Sequence, residues 1–167
     1  MYIPMSISTV TVDPISNSPI VILKEINGDK ILPIWIGIME ATAIASELEN
    51  IKFSRPMTHD LIKNIMETLD VKITKVEVCD LKDNTYYALI HLLTSDGKEY
   101  AIDARPSDAL ALSLRTNAPI FVKEEVILKS AKLTEDESEA MDESEKGKRW
   151  KKILESLKPE DFGKYKM

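Results

Sequence analysis

Two arginine–proline pairs carry the side chains best suited to chemistry on an anion: Arg55-Pro56-Met57-Thr58-His59-Asp60 and Arg105-Pro106-Ser107-Asp108. Proline disfavours the α region for the residue before it and suits the first helical position. Each arginine therefore leaves the chain just outside a helix start, where first-turn N–H groups have no intrahelical partner. Arg55 and Arg105, with the hydroxyls of Thr58 and Ser107, form candidate phosphate-binding cradles. A fold that brought the two segments together would clamp a phosphodiester between two guanidinium groups and stabilise the charge that builds during its cleavage.

The acids and histidine around these pairs are the candidate catalytic groups: His59, Asp60, Asp103 and Asp108. His59 opens a helix, where the positive end of the dipole favours the neutral imidazole that a general base requires. Asp103 and Asp108, joined by Glu40 from an earlier helix start, offer oxygen ligands for Mg²⁺ or Mn²⁺. Each acid also has a structural reading. Asp60 and Asp108 occupy first helical turns, where a carboxylate complements the dipole and caps open N–H groups. Asp103, between strand and helix, is placed to pin Arg105 or Arg55. His91, inside a strand, reads as structural.

Other chemistries drop out. The chain has no phosphate-binding Walker loop, Gly-x-Ser-x-Gly elbow, His-Glu-x-x-His helix or Gly-x-Gly-x-x-Gly turn. Its one cysteine, Cys79, sits in an apolar strand-like run and excludes an internal disulfide. A formal net charge of −6 argues against bulk electrostatic gripping of nucleic acid and leaves a local site as the alternative. No apolar run approaches the ~18 residues of a membrane span and the N-terminus has no leader pattern, so a cytoplasmic protein is expected. The absence of glutamine with 30% charged residues points to a thermophilic source.

These residues need a scaffold, and the patterning supplies an α+β one. Residues 21–26 and 30–36 are β-branched and joined by Asn27-Gly28, a hairpin signal. Ile38, Ala41, Ile44, Ala45 and Leu48 mark a helix, and Leu61, Ile62, Ile65 and Leu69 a second one with Thr58 as N-cap. Residues 71–79, 86–94 and 99–104 read as an antiparallel meander. A helix then runs from Pro106 to Asn117, and residues 119–122 close as a strand. The order ββ-αα-βββ-α-β predicts a mainly antiparallel or mixed sheet with helices packed on it.

A domain edge is expected at residue 130. Beyond it, acidic residues 135–145 give way abruptly to Lys146, Lys148, Arg149, Lys151 and Lys152. Trp150, Ile153, Leu154 and Leu157 then predict a short C-terminal amphipathic helix, packed on its own body, on a second copy or on a partner.

Taken together, Pro33-Ile34-Trp35-Ile36-Gly37 with Glu40-Ala41, the Arg55–Asp60 segment, and the ordered run from Ile102 to Leu112 resemble the bifunctional nuclease domain family over residues 1–130. The resemblance implies a homodimer and hydrolysis of phosphodiester bonds in DNA, RNA or both, with nucleic acid as substrate. The residues alone also admit a second class, a non-catalytic anion- or partner-binding regulatory module.

Overall fold

The computed structural model describes residues 1–141. In chain order it contains β1 (Tyr2–Val12), β2 (Pro19–Glu25), β3 (Ile31–Trp35), α1 (Ile38–Leu48), α2 (Thr58–Thr68), β4 (Val71–Lys82), β5 (Thr85–Thr94), β6 (Glu99–Ala104), α3 (Pro106–Thr116), β7 (Ile120–Lys123) and α4 (Glu124–Met141). The α+β class, the hairpin, the meander and both site-bearing helices are as expected. Two elements were not read from sequence. In β1, Pro4 and interspersed serines and threonines mask the buried Ile3, Met5 and Val10, and a register shift between Ile7 and Thr9 breaks the alternation. α4 begins on Glu124 and Glu125, acids that suit a helix N-terminus, and buries Val126, Ile127 and Ser130. It runs unbroken through residue 130. The Trp150–Leu157 stripe lies outside the described residues.

The strands form one sheet in the order β3-β2-β1-β7-β4-β5-β6. Two antiparallel three-stranded meanders are joined by four-residue β7, which runs antiparallel to β1 and parallel to β4. The sheet is thus mixed. It also curls. Neighbouring strands lie ~4.8 Å apart, so a flat sheet would hold β3 and β5 far beyond the reach of one side chain, yet Tyr86 Oη on β5 lies 3.3 Å from the Pro33 carbonyl on β3. The same hydroxyl meets Ser130 Oγ of α4 at 2.9 Å. Tyr86 therefore ties the two halves of the sheet to the last helix.

The concave side holds one core, with Val21, Leu23, Leu32, Ile44, Val76, Leu110 and Val122 essentially inaccessible. α3 lies between α1 and α2 and packs against both. α2 differs from its expected seating. Ile62 and Met66 meet the core, whereas Leu61, Ile65 and Leu69 remain 51%, 50% and 66% exposed. The N-cap is Met57 rather than Thr58, and the Asp60 carboxylate accepts the Met57 N–H at 2.9 Å. With no fully buried residue, α2 depends on polar ties to α3 for its position.

Candidate active site

The N-termini of α1, α2 and α3 meet, and their first-turn side chains form one chain of hydrogen bonds. Asp108, in the first turn of α3, does not cap its own helix. Its Oδ1 accepts from His59 Nε2 on α2 at 2.9 Å, and its Oδ2 accepts from Arg105 Nε at 2.8 Å. Arg105 Nη2 adds a bond to Asp108 Oδ1 at 3.2 Å, and Nη1 donates to Glu40 Oε1 on α1 at 2.9 Å. Glu40, Arg105, Asp108 and His59 are thus linked in series across three helix starts. Gly37 at the α1 N-cap makes room for this: a Cβ there would run into Glu40 Oε2.

A second tie lies about two turns further along the same face of α3. Arg115, only 7% exposed, donates from Nε to Asp60 Oδ1 at 2.7 Å and from Nη1 to the carbonyls of Ala43 and Ala111, both at 2.9 Å. This residue was missed from sequence, where a basic side chain in a last helical turn reads as dipole compensation. The signal lay in its spacing: Asp108 and Arg115 are seven residues apart and share a helical face.

Other site candidates are dispersed. Asp103 stands opposite Leu89 on β6, exposed, and pins neither Arg105 nor Arg55. Strand alternation explains this: Ile102 pairs with the buried Ile90 on the core side, so Asp103 points to the outer face, where it adds a minor contribution to the burial that raises the pKa of Cys79. Arg55 is exposed, makes no hydrogen bond or ion pair among the described residues, and lines a cleft of about 230 Å³ with Lys52, Asn64, Asp60 and Arg115. Arg105 and Ser107 line a different cleft of about 280 Å³. The two Arg-Pro arginines therefore do not form one clamp. Thr58 is exposed at the start of α2.

Asp103 stands apart from Glu40 and Asp108, and among the described residues no three His, Cys, Asp or Glu side chains are placed to hold a metal ion. The carboxylates of Asp108 and Glu40 already face the Arg105 guanidinium, which a divalent cation would have to displace. A Mg²⁺ or Mn²⁺ held by Glu40 or Asp108 would therefore compete with Arg105 for the carboxylates.

Burial raises the Asp108 pKa, but the hydrogen bonds from Arg105 and His59 outweigh it and hold the carboxyl below its ordinary 3.8. Asp60 behaves alike, with burial opposed more strongly by Arg115 and the Met57 N–H. An ionised Asp108 can only accept, so in the neutral His59 ring the proton sits on Nε2 and the lone pair on Nδ1. Nδ1 has no partner, and no buried side-chain nitrogen or oxygen among the described residues is unsatisfied, so Nδ1 reaches solvent.

A stability prediction follows. A carboxyl whose folded pKa is depressed stabilises the fold above its unfolded value, and that stability disappears as pH falls through the folded value. Urea unfolding is therefore expected to show loss of stability below about pH 5 and down towards pH 2. Asp60→Asn should lower stability at neutral pH and flatten this acid limb. An unchanged limb would show that the Asp60–Arg115 bond contributes nothing.

Fold and site together define an α+β domain with a carboxylate-held histidine where three helix N-termini meet. The chain belongs to the bifunctional nuclease domain family, whose sequence profile matches residues 21–135, a span containing every residue of this network. "Uncharacterized protein Rv1829" of Mycobacterium tuberculosis is 39% identical over 158 residues, covering 92% of this chain and 93% of that protein. "Bifunctional nuclease 1" of Oryza sativa subsp. japonica is 26% identical over 116 residues, covering 68% of this chain and 35% of its own length. "Bifunctional nuclease 2" of Arabidopsis thaliana is 26% identical over 108 residues, covering 64% and 33%. The chain thus spans about a third of these plant relatives. No helix among the described residues is long and apolar enough to cross a membrane.

Proposed function

We propose that the chain hydrolyses phosphodiester bonds of nucleic acid, with His59 as general base. The observation that carries this reading is the His59–Asp108 pair at the α2 start, with Nε2 held by a carboxylate and Nδ1 open to solvent. A water on Nδ1 attacks phosphorus as its proton passes to the imidazole; the bond from phosphorus to the leaving sugar oxygen breaks, and that oxygen takes a proton from solvent. Asp108 is a positioning residue that fixes the tautomer and offsets the imidazolium charge. Arg105 uses three of its N–H groups in the network, and its 66% exposed side chain offers the remaining two to a phosphate oxygen. Arg55, exposed and unpaired, and Lys52 beside it would meet a second phosphate. The names of the plant relatives support the substrate class.

The test is cleavage of single-stranded DNA and RNA by highly purified protein in Mg²⁺, Mn²⁺ or chelator. The role given to His59 needs no metal, so activity is expected to persist in chelator. Strict metal dependence would overturn the metal-free role given to His59. One observation favours the non-catalytic binding module: the chain's net charge is −6. On that reading purified protein binds an anionic ligand or partner and leaves both nucleic acids intact in all three conditions.

A further inference from the structure

The 280 Å³ cleft between the end of β3, the β4–β5 turn and the start of α3 has features that hydrolysis leaves unused. Trp35 lies on it, 41% exposed. Its indole N–H is nonetheless held by Asp13 Oδ2 at 3.3 Å, and Asp13, 7% exposed, also accepts from Ser16 Oγ at 2.6 Å and the Ile15 N–H at 2.9 Å. A large aromatic ring is thus kept half in solvent by a buried polar anchor, the opposite of what packing alone would produce. Across the cleft stands Asn84, which with Asp83 forms a two-residue turn with φ of 57° and 48°, the left-handed pair of a tight hairpin. Its amide is therefore carried on a stiff support.

Ser107 supplies the decisive detail. It is only 5% exposed, and its hydroxyl makes no hydrogen bond among the described residues. Since no fully buried polar side-chain atom there lacks a partner, this hydroxyl keeps some solvent access, and Ser107 lines the cleft. A hydroxyl with no protein partner is free to meet a ligand atom. The charge of the cleft selects the ligand. Glu40 lines it and balances Arg105, so the cleft beyond the guanidinium carries no excess positive charge to select an anion there. A neutral planar group with donors and acceptors along its edge fits an aromatic plate, a hydroxyl, an amide and a carboxylate acceptor.

We propose that this cleft binds one unpaired nucleobase, stacked on Trp35, with its edge met by Ser107, Asn84 and Glu40. The choice of a nucleobase rests on the reading of nucleic acid as substrate. Pockets for small molecules commonly run from ~300 Å³ upward, so this cleft holds a single unit and excludes a paired base. The protein therefore works on single strands or on bases displaced from a duplex.

Nucleosides contain no phosphodiester, so titrating the full chain with adenosine, guanosine, cytidine and uridine by calorimetry tests the site separately from cleavage. Ribose 5-phosphate serves as the baseless control. Nucleosides are expected to bind and ribose 5-phosphate not to. Trp35→Ala should weaken binding about tenfold or more, the scale on which bases stack on aromatic rings, while Trp35→Phe retains most of it. Asn84→Gly keeps the turn conformation and should weaken binding in a base-dependent way, which supports the site even if Trp35→Ala fails to fold. Absence of nucleoside binding, equal binding of ribose 5-phosphate, or affinities indifferent to both Trp35→Ala and Asn84→Gly would overturn the proposal. Nucleoside binding without strand cleavage keeps this site and removes the hydrolytic reading; cleavage without nucleoside binding does the reverse.

Discussion

Arg115→Ala is expected to lower the unfolding free energy by about 3 kcal/mol, the low end of the cost of breaking a buried ion pair. The low end applies because Asp60 keeps 33% side-chain exposure and regains some hydration when its partner is lost. Arg115 itself is 4% exposed in its side chain and bonds to elements on both sides of α3: Asp60 on α2 and the Ala43 carbonyl on α1. Its removal leaves a void and strips α2 of one of its two polar ties to α3. For a chain of this size, ~3 kcal/mol corresponds to a fall in Tm of roughly 6–12 °C. Arg105→Ala provides the contrast. Its side chain is 66% exposed, its pairs are screened by solvent, and its loss should change stability by about 1 kcal/mol or less. Thermal and urea unfolding of the two variants side by side decide the matter. Equal losses would mean that the Glu40–Arg105–Asp108 network is architectural, and the case for it as reaction machinery would fall.

The sequence was most legible where local chemistry and global fold agree. Pro106 marked the start of α3 because it is tied to one backbone geometry, and Asn27-Gly28 marked the hairpin between β2 and β3 although neither residue takes the positive φ of a two-residue turn. β1 was hidden because its pairing shifts register and its polar face is serine and threonine, residues equally at home in loops. Of the site, the two Arg-Pro segments and His59 were visible, as was the placement of acids at helix starts. The partners were not. That Asp108 reaches across to His59 and that Asp60 meets Arg115 depends on how α2 lies against α3, a packing angle that no local pattern encodes. The same gap explains why Asp103 looked like a member of the cluster. It is near Arg105 in sequence, but strand alternation sends it to the opposite face of the sheet.

The second large effect concerns His59. His59→Ala is expected to lower strand cleavage by about 10²–10⁴-fold, the range that a positioned acid–base group contributes. Stability should fall far less than in Arg115→Ala, because the Asp60–Arg115 tie still holds α2 to α3. A loss of activity in a folded variant would not by itself separate proton transfer from packing, since the His59 side chain is only 12% exposed. Chemical rescue makes that separation. Free imidazole added to His59→Gly can occupy the vacated space and accept the proton from water, so cleavage should return in proportion to imidazole concentration. An inert ring of similar size should restore nothing. Asp108→Asn should also depress the rate, because an amide in place of the carboxylate no longer dictates which nitrogen carries the proton and no longer offsets the imidazolium charge. Unlike the His59 deletion, this defect should resist rescue by imidazole, since His59 still fills its site. Rescue equal in both variants, or absent in both while cleavage by the parent chain is secure, would remove His59 from the reaction and leave the His59–Asp108 bond as a tie between helices.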